Sequence, residues 1–511
     1  AAPGLIHIPV HYMHSPRGSR GQDAMVVMRI ILASVLLAVA DARPQADELA
    51  LLQAMVSPEP QGSEERLKMA METARVKGVP RDISNVVQPM INFANSQYVS
   101  YMTMGKQFIS GIIDTGSFEL VVFGAKCTTC GVAAHYNPML SGSFEEGTLS
   151  TSQNYGSGDT YCYEGFEQVS IGPYPPKRQM FWEVVEAYMP VLQQAAFEAI
   201  IGVGPTEQPL VQVWHEVDYY VKNLTSYYEQ AMMAPQEAID VAEDMIKVAI
   251  KLGSELPMLH TWSIPLFSIC MGTRNGADGI IVWNDTTPFD KPTLFTQVPV
   301  IGSLHSWSAN LSMPILTYPA SDKNPILLGC EDGCEALIDS GTSLLAAPTE
   351  VVDRIFEAMN ELKDPCDLDM LPDIKFQLGG GEFSLPPSAY MGTVEGTPKG
   401  RVKAFLDKHS SNRTQGCQLL IMETSDFGEG ALWILGVPWF RKYYTTFELG
   451  SIMEERKFHI AEHMTEECMP TDLSSNSKSR KSMELNKVEA DRLYLPHPRR
   501  GASRRSWKQR K

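Results

Sequence analysis

The sequence has no apolar run of the roughly 18 to 20 residues that a membrane-spanning helix requires. Basic residues are also scarce: Lys plus Arg number 43 against 60 for Asp plus Glu, and the formal net charge is −17. An acidic chain is a poor general binder of phosphate backbones. Because 44% of the 511 residues are hydrophobic and only 20% are charged, wholesale disorder is excluded. We therefore expect a folded, multi-domain chain with no nucleic-acid partner and no stable membrane span.

The basic residues that are present concentrate at one end. Residues 471–511 contain 12 basic and 4 acidic side chains, a net charge of +8 that leaves −25 for the preceding residues. This stretch is rich in serine and arginine and has no apolar periodicity. It is predicted to be a basic disordered tail covering 467–511.

Residues 28–40 have the pattern of a secretory signal. One arginine precedes an apolar run of eleven residues, and small residues at Ala38 and Ala40 suit a cleavage site. A buried N-terminal helix is the alternative. We predict a signal peptide over 28–42, preceded by a non-native or upstream extension over 1–27. The location is then the secretory pathway: secreted, or in an acidic endomembrane lumen such as a vacuole or lysosome.

Residues 43–92 are rich in alanine, glutamate and basic residues and carry no chemistry of their own. A removable pro-segment is the functional interpretation, and a solvated linker helix is the alternative. Passage through a glycosylating lumen agrees with four Asn-X-Ser/Thr triplets, although such triplets also arise by chance. They begin at Asn223, Asn284, Asn310 and Asn412.

In an oxidising compartment the cysteines should pair, and their odd number, nine, leaves at least one outside a disulfide. Cys127 with Cys130, and Cys330 with Cys334, have the spacing of zinc-ligand pairs. However, 203 residues separate Cys127 from Cys330, and no histidine stands beside any of the four. We therefore predict no metal and no organic cofactor.

Short β-branched or aromatic runs bounded by glycine, proline or asparagine dominate the chain after residue 98, which predicts a mainly β protein. The exception is 235–253, whose apolar residues recur at helical spacing. We divide the body into an N-terminal lobe over 93–262, with a helical insertion at 206–257, and a C-terminal lobe over 263–466.

Two segments of the body match each other. Each has an apolar strand leading into Asp-Thr-Gly-Ser at Asp114 or Asp-Ser-Gly-Thr at Asp339. Farther along the chain, and at a similar distance from each aspartate, there is an element of two apolar residues and a glycine. It ends at Gly202 after Asp114 and at Gly436 after Asp339. A lone Asp-hydroxyl-Gly triplet is usually a turn. Two copies with the same trailing element predict homologous lobes.

This repeat predicts a pair of carboxylates. If the lobes pack about a pseudo-twofold axis, Asp114 and Asp339 meet in a central cleft, where two neighbouring carboxylates share one proton. The ionised member can take a proton from water while the protonated member polarises a peptide carbonyl. The predicted chemistry is amide hydrolysis without a covalent intermediate.

Over residues 98–460, 363 of the 511, the chain resembles the pepsin-like family of aspartic endopeptidases. The resemblance implies a two-lobed fold in which each lobe contributes one catalytic aspartate, Asp114 or Asp339. Supporting roles beside the pair are implied for Thr115, Gly116, Ser117, Ser340, Gly341 and Thr342. Tyr155, Gly156 and Ser157 resemble the tip of the family's flap, a hairpin that closes over substrate. Further substrate contacts are implied for Ile112 and Ile200.

The resemblance also implies three disulfides: Cys127–Cys130, Cys330–Cys334 and Cys366–Cys417. It leaves Cys162, Cys270 and Cys468 without an assigned partner. The implied substrates are polypeptides, and the chain is expected to be a monomeric zymogen.

Some positions depart from the family pattern. Val121 stands where the family usually has a tryptophan that bonds the flap tyrosine, and Val437 stands where an aspartate is common. The usual Phe-Asp-Gly-Ile-Leu-Gly becomes Phe-Glu-Ala-Ile-Ile-Gly over 197–202. These changes leave open the alternative that the protein is a degenerate family member that binds peptides without cutting them. A purely structural β module would leave the repeated aspartates unexplained, so we favour an active aspartic endopeptidase.

Overall fold

The computed structural model describes residues 86–155, 157–172, 174–205, 251, 255–301, 306–318, 324–362, 364, 366–408, 416–424, 432–450, 453–463, 468–470, 484–493 and 507–509. All of them belong to one structural unit, Ser63–Lys511. The predicted signal peptide, most of the pro-segment, and the helix expected at 235–253, apart from Lys251, lie outside the described residues. Among the described helices, none is long and apolar enough to cross a membrane.

The described residues form 25 strands and five short α-helices. The strands are β1 (Val86–Phe93), β2 (Gln97–Met104), β3 (Gln107–Asp114), β4 (Leu120–Phe123), β5 (Glu145–Tyr155), β6 (Gly158–Ile171), β7 (Lys177–Tyr188), β8 (Ala199–Gly202), β9 (Leu266–Met271), β10 (Gly279–Trp283), β11 (Thr296–Pro299), β12 (Ser308–Thr317), β13 (Ile326–Leu327), β14 (Cys334–Ile338), β15 (Leu345–Ala347), β16 (Asp373–Leu378), β17 (Gly381–Leu385), β18 (Met391–Glu395), β19 (Gln418–Leu419), β20 (Ile421–Glu423), β21 (Leu432–Leu435), β22 (Tyr443–Glu448), β23 (Lys457–Glu462), β24 (Asn486–Glu489) and β25 (Trp507–Gln509). The helices are α1 (Met258–Thr261), α2 (Thr287–Asp290), α3 (Thr349–Asn360), α4 (Gly400–Lys408) and α5 (Val437–Phe440). The predicted all-β class is confirmed.

The longest helix, α3, shows how the sequence sets local structure. Pro348 precedes its first turn, where the missing N–H of proline does no harm. Val351, Val352, Ile355 and Met359 recur at helical spacing and are all buried. The helix therefore covers one side of the second lobe with a single apolar face.

The two lobes repeat one pattern of strand pairing. In the first, β3 pairs in parallel with β8, β8 pairs antiparallel with β4, and β4 pairs in parallel with β7. In the second, β14 pairs in parallel with β21, β21 pairs antiparallel with β15, and β15 pairs in parallel with β20. The duplication seen in the sequence is therefore a duplication of topology.

A long sheet joins the halves. Its order is β11-β23-β22-β9-β10-β1-β2-β3-β8-β4-β7-β6-β5-β25. The first half of β1 pairs with β10 and the second half with β2. Strands from the predicted C-terminal lobe thus continue the sheet of the N-terminal lobe through β1, with Trp283, Phe267 and Trp307 buried in the core below it.

The structure bears on two predicted boundaries. The predicted pro-segment, 43–92, overlaps β1, which begins at Val86 and pairs with β10 and β2, and its end at residue 92 stays a prediction. The tail was predicted to be disordered from 467. Residues 484–493 instead form β24 and a 3₁₀ turn with Val488 and Leu493 buried. Their apolar side chains are too few to show a periodicity in the sequence.

The described residues contain four disulfides. Three are the pairs implied by the family resemblance, Cys127–Cys130, Cys330–Cys334 and Cys366–Cys417. The fourth joins Cys270 to Cys468 across 198 residues of sequence. The sequence left these two cysteines unassigned because only the fold brings them together. Cys162 is buried outside these disulfides, with its sulfur 3.4 Å from Thr160 Oγ1.

The Cys270–Cys468 disulfide should matter more for stability than a short-loop disulfide. We expect Cys270→Ala/Cys468→Ala to lower the free energy of unfolding by about 5 kcal/mol, because a long closed loop restricts the unfolded chain most. The matched control, Cys330→Ala/Cys334→Ala, opens a loop of only four residues and should cost about 2 kcal/mol. Urea unfolding at one pH measures both, and equal losses would contradict the ranking.

Candidate active site

The two repeated aspartates lie where equivalent strands end. Asp114 is the last residue of β3 and is paired with Gly202 of β8. Asp339 follows β14, and its N–H donates to the Leu435 carbonyl of β21. Each aspartate therefore stands at the end of a buried pair of parallel strands, at the equivalent position of its lobe. This places both side chains at the junction of the two lobes.

A reciprocal set of hydrogen bonds locks the two turns together. Thr115 Oγ1 donates to the Ile338 carbonyl at 2.8 Å and accepts from the Ser340 N–H at 2.9 Å. Ser340 Oγ donates to the Ile113 carbonyl at 2.6 Å and accepts from the Thr115 N–H at 3.2 Å. All four bonds cross between the lobes and are buried, so the spacing of the two aspartates depends on them.

Within its own turn, the Asp114 carboxylate is oriented by two donors. The Gly116 N–H reaches Oδ1 at 2.9 Å and Ser117 Oγ reaches Oδ2 at 2.6 Å. A side chain at Gly116 could not be accommodated, because its Cβ would lie 2.7 Å from Asp339 Cγ. Glycine is thus required here for the opposite aspartate to approach.

The Asp339 turn mirrors this arrangement. The Gly341 N–H reaches Oδ1 at 2.8 Å and Thr342 Oγ1 reaches Oδ2 at 2.5 Å. A Cβ at Gly341 would lie 2.4 Å from Asp114 Oδ1. The structure therefore brings together all eight residues for which the resemblance implies catalytic or supporting roles.

The electrostatics of the pair follow from burial. Burial raises the pKa of the Asp114 carboxyl well above its ordinary value, and the charge of Asp339 raises it further. The hydrogen bonds from Ser117 and Gly116 oppose this rise without cancelling it. Each aspartate remains 8% exposed, enough for a carboxyl oxygen to meet a substrate. Asp114 is therefore suited to hold the proton of the pair.

A long hairpin carries the residues predicted to form the flap. It consists of β5 and β6, with Tyr155 opposite Gly158 at its tip. Ser157 is buried, and among the described residues its Oγ meets no hydrogen-bond partner. Gly156 lies outside the described residues.

The other residues implied to contact substrate share one apolar cluster. Ile200 is buried in it, and Ile112 and Tyr155 pack against it from partly exposed positions. Ile112 and Ile200 are neighbours in the β3–β8 pair that ends at Asp114. An apolar surface therefore lies between the flap and the first aspartate.

The flap tyrosine has a partner that the sequence did not suggest. Tyr155 Oη donates to Gln153 Oε1 at 2.7 Å, and Gln153 is 1% exposed. Val121 is fully buried between Trp182 and Ile200 on neighbouring strands. A polar residue two places before Tyr155 on the same face of β5 was the available signal, because strand side chains alternate with period two.

One group of side chains in the described part of the chain has ligand atoms close enough for a metal ion: Cys270, His463 and Cys468. The two sulfurs are joined in a disulfide, so they do not offer thiolates. The aspartate pair, by contrast, is held by hydroxyl and backbone N–H donors.

Comparisons with known proteins agree with this geometry. A family model described as eukaryotic aspartyl protease matches residues 97–242 and 256–456. The chain is 24% identical over 376 residues to pepsin A of Bos taurus, covering 71% of this chain and 84% of that protein. It is 24% identical over 381 residues to cathepsin E of Cavia porcellus, covering 72% and 83%. Pregnancy-associated glycoprotein 2 of Bos taurus is also 24% identical, over 381 residues, with the same coverage. With the family model spanning more than half of its length, and with both Asp-hydroxyl-Gly turns meeting at one point, this chain belongs to the eukaryotic aspartyl protease family.

Proposed function

We propose that this protein is an active aspartic-type endopeptidase whose catalytic residues are Asp114 and Asp339. The observation that carries the proposal is the locked pair of carboxyls, held by donors within each turn and by crossed bonds between the turns. Arrangements with two carboxyls of different pKa are suited to general acid–base chemistry. A peptide-binding role alone would not need them.

In the proposed reaction, water lies between the two carboxyls. One carboxyl of the pair accepts a proton from the water as it attacks the peptide carbonyl. Asp114, whose pKa burial raises, donates a hydrogen bond and then a proton to the carbonyl oxygen. The carboxyl that took the proton of the water passes it to the leaving nitrogen, and a hydroxyl of the tetrahedral intermediate returns its proton to Asp114 as the C–N bond breaks. The pair is then restored. Ser117 and Thr342 keep the carboxyl oxygens oriented throughout.

We further propose a polypeptide substrate with apolar side chains beside the scissile bond, since Ile112, Ile200 and Tyr155 share one apolar cluster. Maturation in the secretory pathway is supported by the four disulfides of the described chain, because disulfides persist in oxidising compartments. The protein is proposed to be a monomer made as a zymogen. We propose that the pro-segment ends before Val86, so that β1 keeps its pairing with β10 after maturation.

Cleavage of a denatured protein substrate between acid and neutral pH tests the proposal. We expect hydrolysis that a statine-containing peptide blocks. Asp114→Asn and Asp339→Asn should each lower kcat by about 10²- to 10⁴-fold, the usual contribution of a general acid or base.

The matched control is Asp278→Asn, which changes a carboxylate bonded to the backbone of Asn92 rather than to the pair. It should retain wild-type kcat. A folded sample with residues 1–85 removed that cleaves nothing would favour the peptide-binding relative instead.

The Gln153–Tyr155 bond should affect substrate handling. Gln153→Met removes the acceptor while keeping a side chain of similar length, so we expect kcat/KM to fall roughly two- to tenfold, the worth of one hydrogen bond. Tyr155→Phe should cost a similar factor, and the double variant should cost less than the product of the two. Ser152→Ala, on the opposite face of β5, is the control. Fully multiplicative losses would show that the two residues act independently.

The raised pKa of Asp114 also predicts how stability changes with pH. Below about pH 3.9 the carboxyl is protonated in both the folded and the unfolded chain. Above that pH the unfolded chain releases the proton while the folded chain keeps it, so stability falls until the folded pKa is passed. Asp114→Asn removes this loss. The Tm of the Asp114→Asn variant minus the Tm of the wild type should therefore increase from pH 4 to pH 7. A Tm difference that does not change with pH would contradict the raised pKa.

A further inference from the structure

Residues 484–493 lie beyond the family match, which ends at 456, and they fold back onto the protease body. We call them the strap. Its strand, β24, pairs in parallel with β18, with Gly392 opposite Asn486 and Glu395 opposite Glu489. A parallel strand added at a sheet edge uses backbone hydrogen bonds, so its position is specified by more than side-chain contacts.

Apolar side chains fix the strap against the second catalytic turn. Val488 is 1% exposed and Leu493 is 5% exposed. Both belong to the hydrophobic cluster that contains Leu344 and Ile434. Leu344 is five residues after Asp339 and Ile434 lies on β21, so this cluster directly supports the Asp339 turn.

Polar contacts tie the strap to both lobes. On the first lobe, Asn95 Nδ2 donates to the Lys487 carbonyl at 2.6 Å. On the second, Asn275 Nδ2 donates to the Leu485 carbonyl at 2.9 Å, and Arg441 Nη1 donates to Asn486 Oδ1 at 3.0 Å. The strap is therefore hydrogen-bonded to residues of both lobes.

The end of the strap reaches a residue of the apolar cluster that contains Ile200. Gln97 Nε2 donates to the Arg492 carbonyl at 3.4 Å, and the Arg492 guanidinium lies 5.7 Å from the Phe93 ring centroid. Phe93 packs against the same apolar cluster as Ile112 and Tyr155.

Ser96, the residue before Gln97, connects this end of the strap to the segment after Asp339. The Ser96 carbonyl accepts from Ser343 Oγ at 2.7 Å, and Ser343 is four residues after Asp339. One end of the strap is therefore connected to the segment after Asp339 through Gln97, Ser96 and Ser343, and it contacts Phe93 beside the apolar cluster.

We propose that the strap forms an end wall of the substrate groove and limits how far a bound peptide extends in one direction. It is a specificity-determining element, and the inference rests on the proposed function, since it takes the groove to receive peptides. Residues added to a substrate at the walled end meet the strap, while residues added at the other end do not. A staple that only stabilises the fold is the competing role.

The experiment measures binding and cleavage separately. A ladder of statine-containing peptides is lengthened one residue at a time at either end, and Kd is measured by fluorescence anisotropy. A matched ladder with a cleavable bond gives kcat/KM. For the full chain we expect affinity to stop rising beyond a certain length at one end only.

Three variants locate the effect. A chain ending after Pro470 keeps the Cys270–Cys468 disulfide and lacks the strap. It should bind the longest peptides about tenfold more tightly than the full chain, the effect of a few added contacts. The Kd of the shortest peptides should change less than twofold.

A chain ending at Leu493 keeps the strap but lacks Trp507–Gln509, which pair with β5, and should behave as the full chain. We call the dependence of Kd on peptide length the length profile. Arg492→Ala/Leu493→Ala in the full chain should shift this profile in the same direction as removal of the strap.

Lys487→Ala, on the exposed side of β24, is the control and should leave the profile unchanged. An unchanged profile in the double variant and in the strapless chain, with lower Tm alone, would identify a structural staple and overturn the proposal. If the strapless chain does not fold, the double variant decides. Length-dependent binding without cleavage would contradict the endopeptidase but not the wall, whereas cleavage without any change in length profile would contradict the wall alone.

Discussion

The crossed hydrogen bonds of Thr115 and Ser340 are the interaction on which the rest of the site depends. Two carboxyls at one point repel each other when both are ionised, and burial adds to the free energy of charging them. The structure holds them together because each hydroxyl bonds the backbone of the opposite lobe while accepting from its partner's N–H. The pair therefore forms only when both lobes are folded and docked. The glycines after Thr115 and Ser340 complete the constraint, since any Cβ there would collide with the facing carboxyl.

Around this centre, the chain differs from the family pattern in parts that we propose meet the substrate. Val121 fills a buried position without a polar group, and the flap tyrosine is bonded within its own strand by Gln153. Orientation of Tyr155 thus depends on the flap rather than on the strand beneath it. The strap lies beyond the family match, and we propose that it adds a wall to the substrate groove. In this account, the elements that handle the substrate are distinct from those that hold the two carboxyls.

Much of the site was predictable because the repeat is local. Asp114 and Asp339 each end an apolar strand and begin a hydroxyl-rich turn, so short stretches of sequence specify them. Contacts between distant segments were not predictable in the same way. Cys270 and Cys468 have no spacing that suggests a disulfide, and Val488 and Leu493 lie five residues apart, without the alternation typical of a strand. The pairing of β1 with β10, nearly 200 residues away in sequence, is a further contact of this kind.

The central claim is that Asp114 and Asp339 act as one unit on a peptide carbonyl. A crystal structure of the protein with a statine-containing peptide tests it most directly. Our account places the statine hydroxyl between the two carboxyls, within hydrogen-bond distance of both, with the backbone of the peptide beneath Tyr155. A peptide bound with its hydroxyl away from the pair, or contacting one carboxyl while the other faces the protein, would contradict the account.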